Sequence, residues 1–113
     1  MTTTQLATWT DVCAFTDLTE SRGAAALVGD YQVALFRLQD GVVFAVSNFD
    51  PFSQAYVISR GIVGSRAGVP KVASPVYKQN FNLETGECFD DPTVSLLTFP
   101  VRVVDGRVEV ALV

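Results

Sequence analysis

Ala24-Ala25-Ala26-Leu27-Val28-Gly29-Asp30-Tyr31-Gln32-Val33-Ala34-Leu35-Phe36-Arg37-Leu38-Gln39-Asp40-Gly41-Val42-Val43-Phe44-Ala45-Val46 is the stretch that decides the fold. It holds three apolar runs divided by Gly29-Asp30 and Asp40-Gly41, both two-residue hairpin signals. The last run, Val42 to Val46, is wholly β-branched, aromatic or small. The middle run predicts a strand with Gln32, Ala34, Phe36 and Leu38 on one face. Outward from this core, the C-terminus repeats the pattern. Val101-Arg102-Val103-Val104 leads through Asp105-Gly106 into Arg107-Val108-Glu109-Val110-Ala111-Leu112. Arg102, Arg107 and Glu109 punctuate the valines, so one face is expected to be wet. Towards the other end, Trp9 to Leu18 reads as a strand and a short turn.

The middle of the chain differs. Residues 47–93 hold Pro51, Pro70, Pro75 and Pro92, together with Gly61, Gly64, Gly68 and Gly86. Two loops stand out: Asn48-Phe49-Asp50-Pro51-Phe52-Ser53-Gln54 and Ser74-Pro75-Val76-Tyr77-Lys78-Gln79. Between them, Gly61 to Gly68 reads as a flexible loop closed by Pro70; a phosphate cradle would need a helix after it. Phe81-Asn82-Leu83 reads as a short strand before a turn at Glu84 to Glu87. No segment sustains a 3.6-residue apolar period. Short strands with frequent turns predict an all-β domain, an antiparallel sandwich or partly open barrel. Residues 7–113 are expected to form one such domain, behind a frayed polar tail over residues 1–6.

Composition removes several functions. The chain has 113 residues, a net charge of −4 and no histidine. Ser-His-Asp and Cys-His catalysis, histidine-ligated zinc and a histidine pH switch are therefore excluded. Eight scattered Lys and Arg do not make a nucleic-acid surface. The N-terminus lacks the basic and apolar regions of a signal peptide, and no apolar run approaches a membrane span. The expected setting is cytoplasmic, with no membrane partner and with Cys13 and Cys88 reduced and packed as small hydrophobes. Two cysteines cannot hold a four-thiolate cluster or a structural zinc. Asp90-Asp91 before Pro92 reads as a solvated turn.

At the two central loops the residues meet a known pattern. Rieske domains hold a [2Fe–2S] cluster with a Cys-x-His loop and a Cys-x-x-His loop. Ser74-Pro75-Val76-Tyr77-Lys78-Gln79-Asn80-Phe81-Asn82-Leu83-Glu84-Thr85-Gly86 resembles their stretch Cys-Pro-x-His-Gly-x-x-Phe-Asp-x-x-Thr-Gly. Ser74 and Tyr77 then stand at the second loop's ligand positions. Ile58-Ser59-Arg60-Gly61 resembles the Leu-Ser-x-Gly stretch after the first loop. Counting back from Gly61 places Pro51 and Ser53 at that loop's ligand positions; a one-residue shift chooses Asp50 and Phe52. Neither register retains a Cys or His.

The strings Asn48 to Phe52, Ser59 to Gly64, Ser74 to Gln79, Phe99 to Val103 and Asp105 to Val108 together resemble the small subunits of cytoplasmic assimilatory NAD(P)H-dependent nitrite reductases. The resemblance implies a Rieske-like fold without the cluster, so no cofactor in this chain. It also implies a large-subunit partner carrying FAD, an iron–sulfur cluster and siroheme, which reduces nitrite to ammonium. With redox capacity gone, the expected role is docking on that partner. Asp50, Phe52, Arg60, Tyr77, Lys78 and Gln79 are the candidate docking residues, with Phe49 and Tyr56 as further aromatic anchors. Phe52 and Tyr77 have a second possible role, filling the hole the cluster leaves. The competing functional reading is a free-standing Rieske-like β-domain that binds a small molecule or regulates another protein.

Overall fold

The computed structural model describes residues 8–112; the expected tail over residues 1–6 lies outside them. In chain order the strands are β1 (Thr8–Ala14), β2 (Gly23–Val28), β3 (Tyr31–Arg37), β4 (Val43–Ser47), β5 (Phe49–Asp50) and β6 (Ala55–Tyr56). They continue as β7 (Ile62–Arg66), β8 (Val69–Ala73), β9 (Asn80–Asn82), β10 (Thr98–Phe99), β11 (Val101–Val104) and β12 (Arg107–Leu112). Two single 3-10 turns, Phe15–Asp17 and Ile58–Arg60, complete the regular structure. No α-helix occurs among the described residues.

The strands form four antiparallel sheets, in the orders β1-β12-β11, β10-β4-β3-β2, β5-β6 and β7-β8-β9. None closes into a barrel. Two of the three hairpin signals act as read; Asp40-Gly41 instead lies in a longer turn between β3 and β4, where Leu38 N donates to Val42 O and Gly41 N donates to Leu38 O. Gly29-Asp30 joins β2 to β3, and Asp105-Gly106 joins β11 to β12 with both residues left-handed, at φ +49° and +76°. That is the twist a two-residue hairpin requires.

Ala34 and Phe36 share one face of β3, as the alternation predicts, and the opposite face is buried as well. Val33, Ala34, Leu35 and Phe36 are all buried, on both faces of β3. Ala34, Phe36 and Val46 pack with Ile58, Val72, Phe81, Leu83, Cys88 and Leu96 on one side. Val33, Leu35 and Ala45 pack with Leu18, Val28, Val108 and Val110 on the other. The β10-β4-β3-β2 sheet is thus the middle layer. One layer covers it from the chain ends, and the other from the central segment that carries both loops.

The flexible loop expected over Gly61 to Gly68 is corrected: β7 and β8 form a hairpin there, turning at Ala67-Gly68. Pro70 is tolerated because β9 pairs with β8 only at Lys71, Val72 and Ala73. Pro70 pairs only on its β7 side, opposite Ser65, and its carbonyl accepts from Leu83 N at 3.0 Å.

Candidate functional site

The first loop begins where β4 ends. Asn48 is buried, and every polar group it carries is engaged. Its amide donates to Gln32 O, its Oδ1 accepts from Ser59 N at 2.7 Å, and its Nδ2 donates to Tyr56 O and Gln32 Oε1. Its carbonyl accepts from Ile58 N. The loop's exit is therefore fastened to its entry. At Gly61 the exit passes under β8 so closely that a Cβ would stand 2.4 Å from Ala73 O. This is the physical reason for a glycine after Ser59-Arg60.

Between these points β5 and β6 make a tight hairpin over Pro51 to Gln54. Asp50 builds its turn: Oδ1 accepts from Phe52 N at 2.9 Å and from Ser53 N at 3.4 Å, an Asx turn. The second loop leaves β8 at Ser74 and closes on itself. Ser74 N donates to Gln79 O, and Lys78 N donates to Ser74 O. Val76 N donates to Ser74 Oγ at 3.3 Å.

One bond joins the two loops. The Ser74 hydroxyl donates to Asp50 Oδ2 at 2.5 Å, with both side chains fully buried. Burial pushes the Asp50 carboxyl upward. The hydrogen bonds from the Ser74 hydroxyl, the Phe52 amide and Ser53 outweigh it and hold the group below the ordinary carboxylate range. The buried group is therefore a carboxylate at neutral pH.

The structure sorts the candidates as follows. Asp50 meets Ser74, whereas Pro51 and Ser53 are half-buried and make no side-chain hydrogen bond to it. This geometry matches the shifted register, with Asp50 and Phe52 at the first loop's ligand positions. Phe52 turns inward and packs on the core, its ring centroid 6.1 Å from that of Phe81. Tyr77 turns outward and is 61% exposed, so it fills no hole. Arg60 and Lys78 are exposed, and Gln79 is half-buried with its Oε1 unpartnered. Tyr56, packed on Phe49 at 5.1 Å, is 55% exposed, and Val76 is 44% exposed.

This donor set does not fit a [2Fe–2S] cluster. Carboxylate, serine hydroxyl, phenyl and phenol stand where thiolates and imidazoles would be needed. Cys13 and Cys88 lie elsewhere, the first in β1 opposite Val108 and the second buried beside Phe81. Burial pushes the Cys13 thiol up, so it is no ready thiolate. Among the described residues no three His, Cys, Asp or Glu side chains converge. Asp91 caps its own turn through the Thr93 hydroxyl and amide, as expected of a solvated turn. Sequence reasoning had both loops. It missed the pairing of Asp50 with Ser74, whose only signal was the shifted register.

The family model for the Rieske-like [2Fe-2S] domain matches residues 8–111. A nitrite reductase (NADH) small subunit of Escherichia coli K12 is 43% identical over 102 residues, spanning 89% of this chain and 94% of the relative. A crystal structure described as an NADH-dependent nitrite reductase small subunit from Mycobacterium tuberculosis superposes with a TM-score of 0.93. It is 52% identical, and the match covers 96% of this chain and 98% of that one. A nitrite reductase [NAD(P)H] large subunit of Klebsiella oxytoca contains a region 38% identical to 88% of this chain, amounting to 10% of its own length.

Proposed function

The chain belongs to the Rieske-like [2Fe-2S] domain family, in the branch formed by nitrite reductase (NADH) small subunits, and from this we propose that it serves its large subunit as a cofactor-free docking domain. It is an accessory subunit of an NADH-dependent nitrite reductase. The reaction, nitrite to ammonium, takes place on the large subunit, which supplies flavin, iron–sulfur and siroheme chemistry in the cytoplasm. No electron passes through the small chain.

The observation that carries this reading is the Asp50–Ser74 bond. A buried carboxylate and hydroxyl close the gap between two loops that a cluster would otherwise hold apart. The loops keep their approach and lose their redox chemistry. What the approach leaves outward is Tyr56, Arg60, Val76, Tyr77 and Lys78. Aromatic and cationic side chains on a rigid frame suit a protein contact, because little conformational entropy remains to be lost on binding. The Klebsiella large subunit adds support, since it carries a domain of this kind within its own chain.

The test is capture of the tagged full-length chain from its native host growing on nitrite, with partners identified by mass spectrometry. The expected result is a large subunit carrying flavin and siroheme, bound to a small subunit that takes up no visible chromophore from iron and sulfide under anaerobic conditions. A lysate that contains the large subunit but yields none of it, or a small subunit that becomes coloured, overturns the proposal.

A further inference from the structure

Charge in this chain is segregated. From Pro51 to Leu83 there are four cations, Arg60, Arg66, Lys71 and Lys78, and no Asp or Glu. The remainder holds four cations against all twelve carboxylates. The segment that forms β6 to β9 and the outer parts of both loops is therefore +4, in a protein of net −4.

Apart from Arg22, which is exposed, the two sets of cations are also used differently. Outside the segment, Arg102 pairs with Glu109 and Arg107 with Asp11. Arg37 donates to Leu18 O and covers the Phe15 ring. Inside it, no cation has a described carboxylate within ion-pair distance. Lys71 donates to Asn80 Oδ1, and Arg66 lies over Phe89. Arg60, at the end of its 3-10 turn, and Lys78 are exposed. Asp90, which meets the first residue of β9 just after the second loop, is engaged by the amide and side chain of Asn80.

Lys78 adds an independent observation. Its φ is +67°, in the left-handed region where an L side chain is disfavoured and glycine is not. The Rieske pattern has glycine at this place. A lysine here holds a conformation that glycine would adopt without strain, and such outliers cluster at functional sites. The fold gives it no other employment: Nζ reaches only Pro75 O, at 3.4 Å.

We infer that the surface receiving this end of the molecule is acidic. Arg60 and Lys78 pair with Asp or Glu of the large subunit, around an apolar centre made by Tyr56, Val76 and Tyr77. This rests on the docking reading and adds to it the chemistry of the partner face. Complementary fields of this kind speed encounter, and salt weakens them.

The test is binding of the full-length chain to purified large-subunit holoenzyme by biolayer interferometry, from 50 to 500 mM NaCl. Arg60→Glu and Lys78→Glu are each expected to weaken binding about tenfold, and salt to slow association of the native chain about tenfold. Arg22→Glu, exposed outside the segment, is the control and is expected to stay within about twofold of the native chain. Lys78→Gly separates strain from contact: its Tm is expected to hold or rise while affinity falls. A complex insensitive to salt and to both reversals overturns the acidic partner and leaves the docking reading intact. Tighter binding by the reversals overturns it as well. Absence of any complex with the native chain overturns the docking reading itself.

Discussion

Asp50→Ala is expected to lower the stability of the chain by about 3 kcal/mol, which for a domain of this size is a fall in Tm of about 12 °C. The substitution deletes the acceptor of hydrogen bonds from the Ser74 hydroxyl and the Phe52 and Ser53 amides. Ser74 has no exposure, so its hydroxyl loses its acceptor without gaining water. The sign of the pH dependence follows from the lowered pKa of Asp50. A carboxyl held below its unfolded value stabilises the fold above that value. The contribution is lost as pH falls through the folded value. The stability gap between the native chain and Asp50→Asn is therefore expected to be full at pH 7 and to close below about pH 4. Thermal unfolding followed by circular dichroism between pH 7 and pH 2 measures both effects. A gap that widens in acid would show that the buried group is neutral in the native state.

The second large effect is on binding. Tyr77→Ala with Lys78→Ala is expected to weaken the complex with the large subunit by about 30-fold or more, since two exposed anchors at a rigid interface typically contribute 2 kcal/mol or more. Neither side chain packs in the core, so Tm is expected to change little. Phe52→Ala provides the contrast. Phe52 lies inward on Phe81, so its loss costs stability first and affinity only through the loop it supports. Binding by calorimetry and Tm measured on the same preparations separate the two cases. Native affinity in a folded Tyr77→Ala, Lys78→Ala double variant would remove the second loop from the interface.

The contrast between these aromatic residues shows where sequence reading reaches its limit. Gly29-Asp30 and Asp105-Gly106 specify their hairpins by local backbone preference, and they form. The β7–β8 hairpin was hidden by Pro70 and three glycines, because no local rule says that the second partner strand stops one residue short of the proline. Burial of β3 on both faces was hidden for a related reason. Alternation identifies an apolar face, but Val33 and Leu35 are covered by a layer built partly from residues more than seventy positions away. At the site, both loops were legible from residue types, and the missing ligands from the resemblance to the Rieske pattern. That Phe52 faces in, that Tyr77 faces out and that Asp50 meets Ser74 were not. Each depends on how two loops 24 residues apart approach, which no local pattern encodes.

We propose these two loops as the contact face of an accessory subunit. Hydrogen–deuterium exchange of the native chain, free and bound to its large subunit, tests it most directly. Protection on binding is expected in the segments spanning residues 49–60 and 74–79, with the β1-β12-β11 sheet unchanged. Protection confined to that sheet, with both loops exchanging as in the free chain, would place the contact face elsewhere.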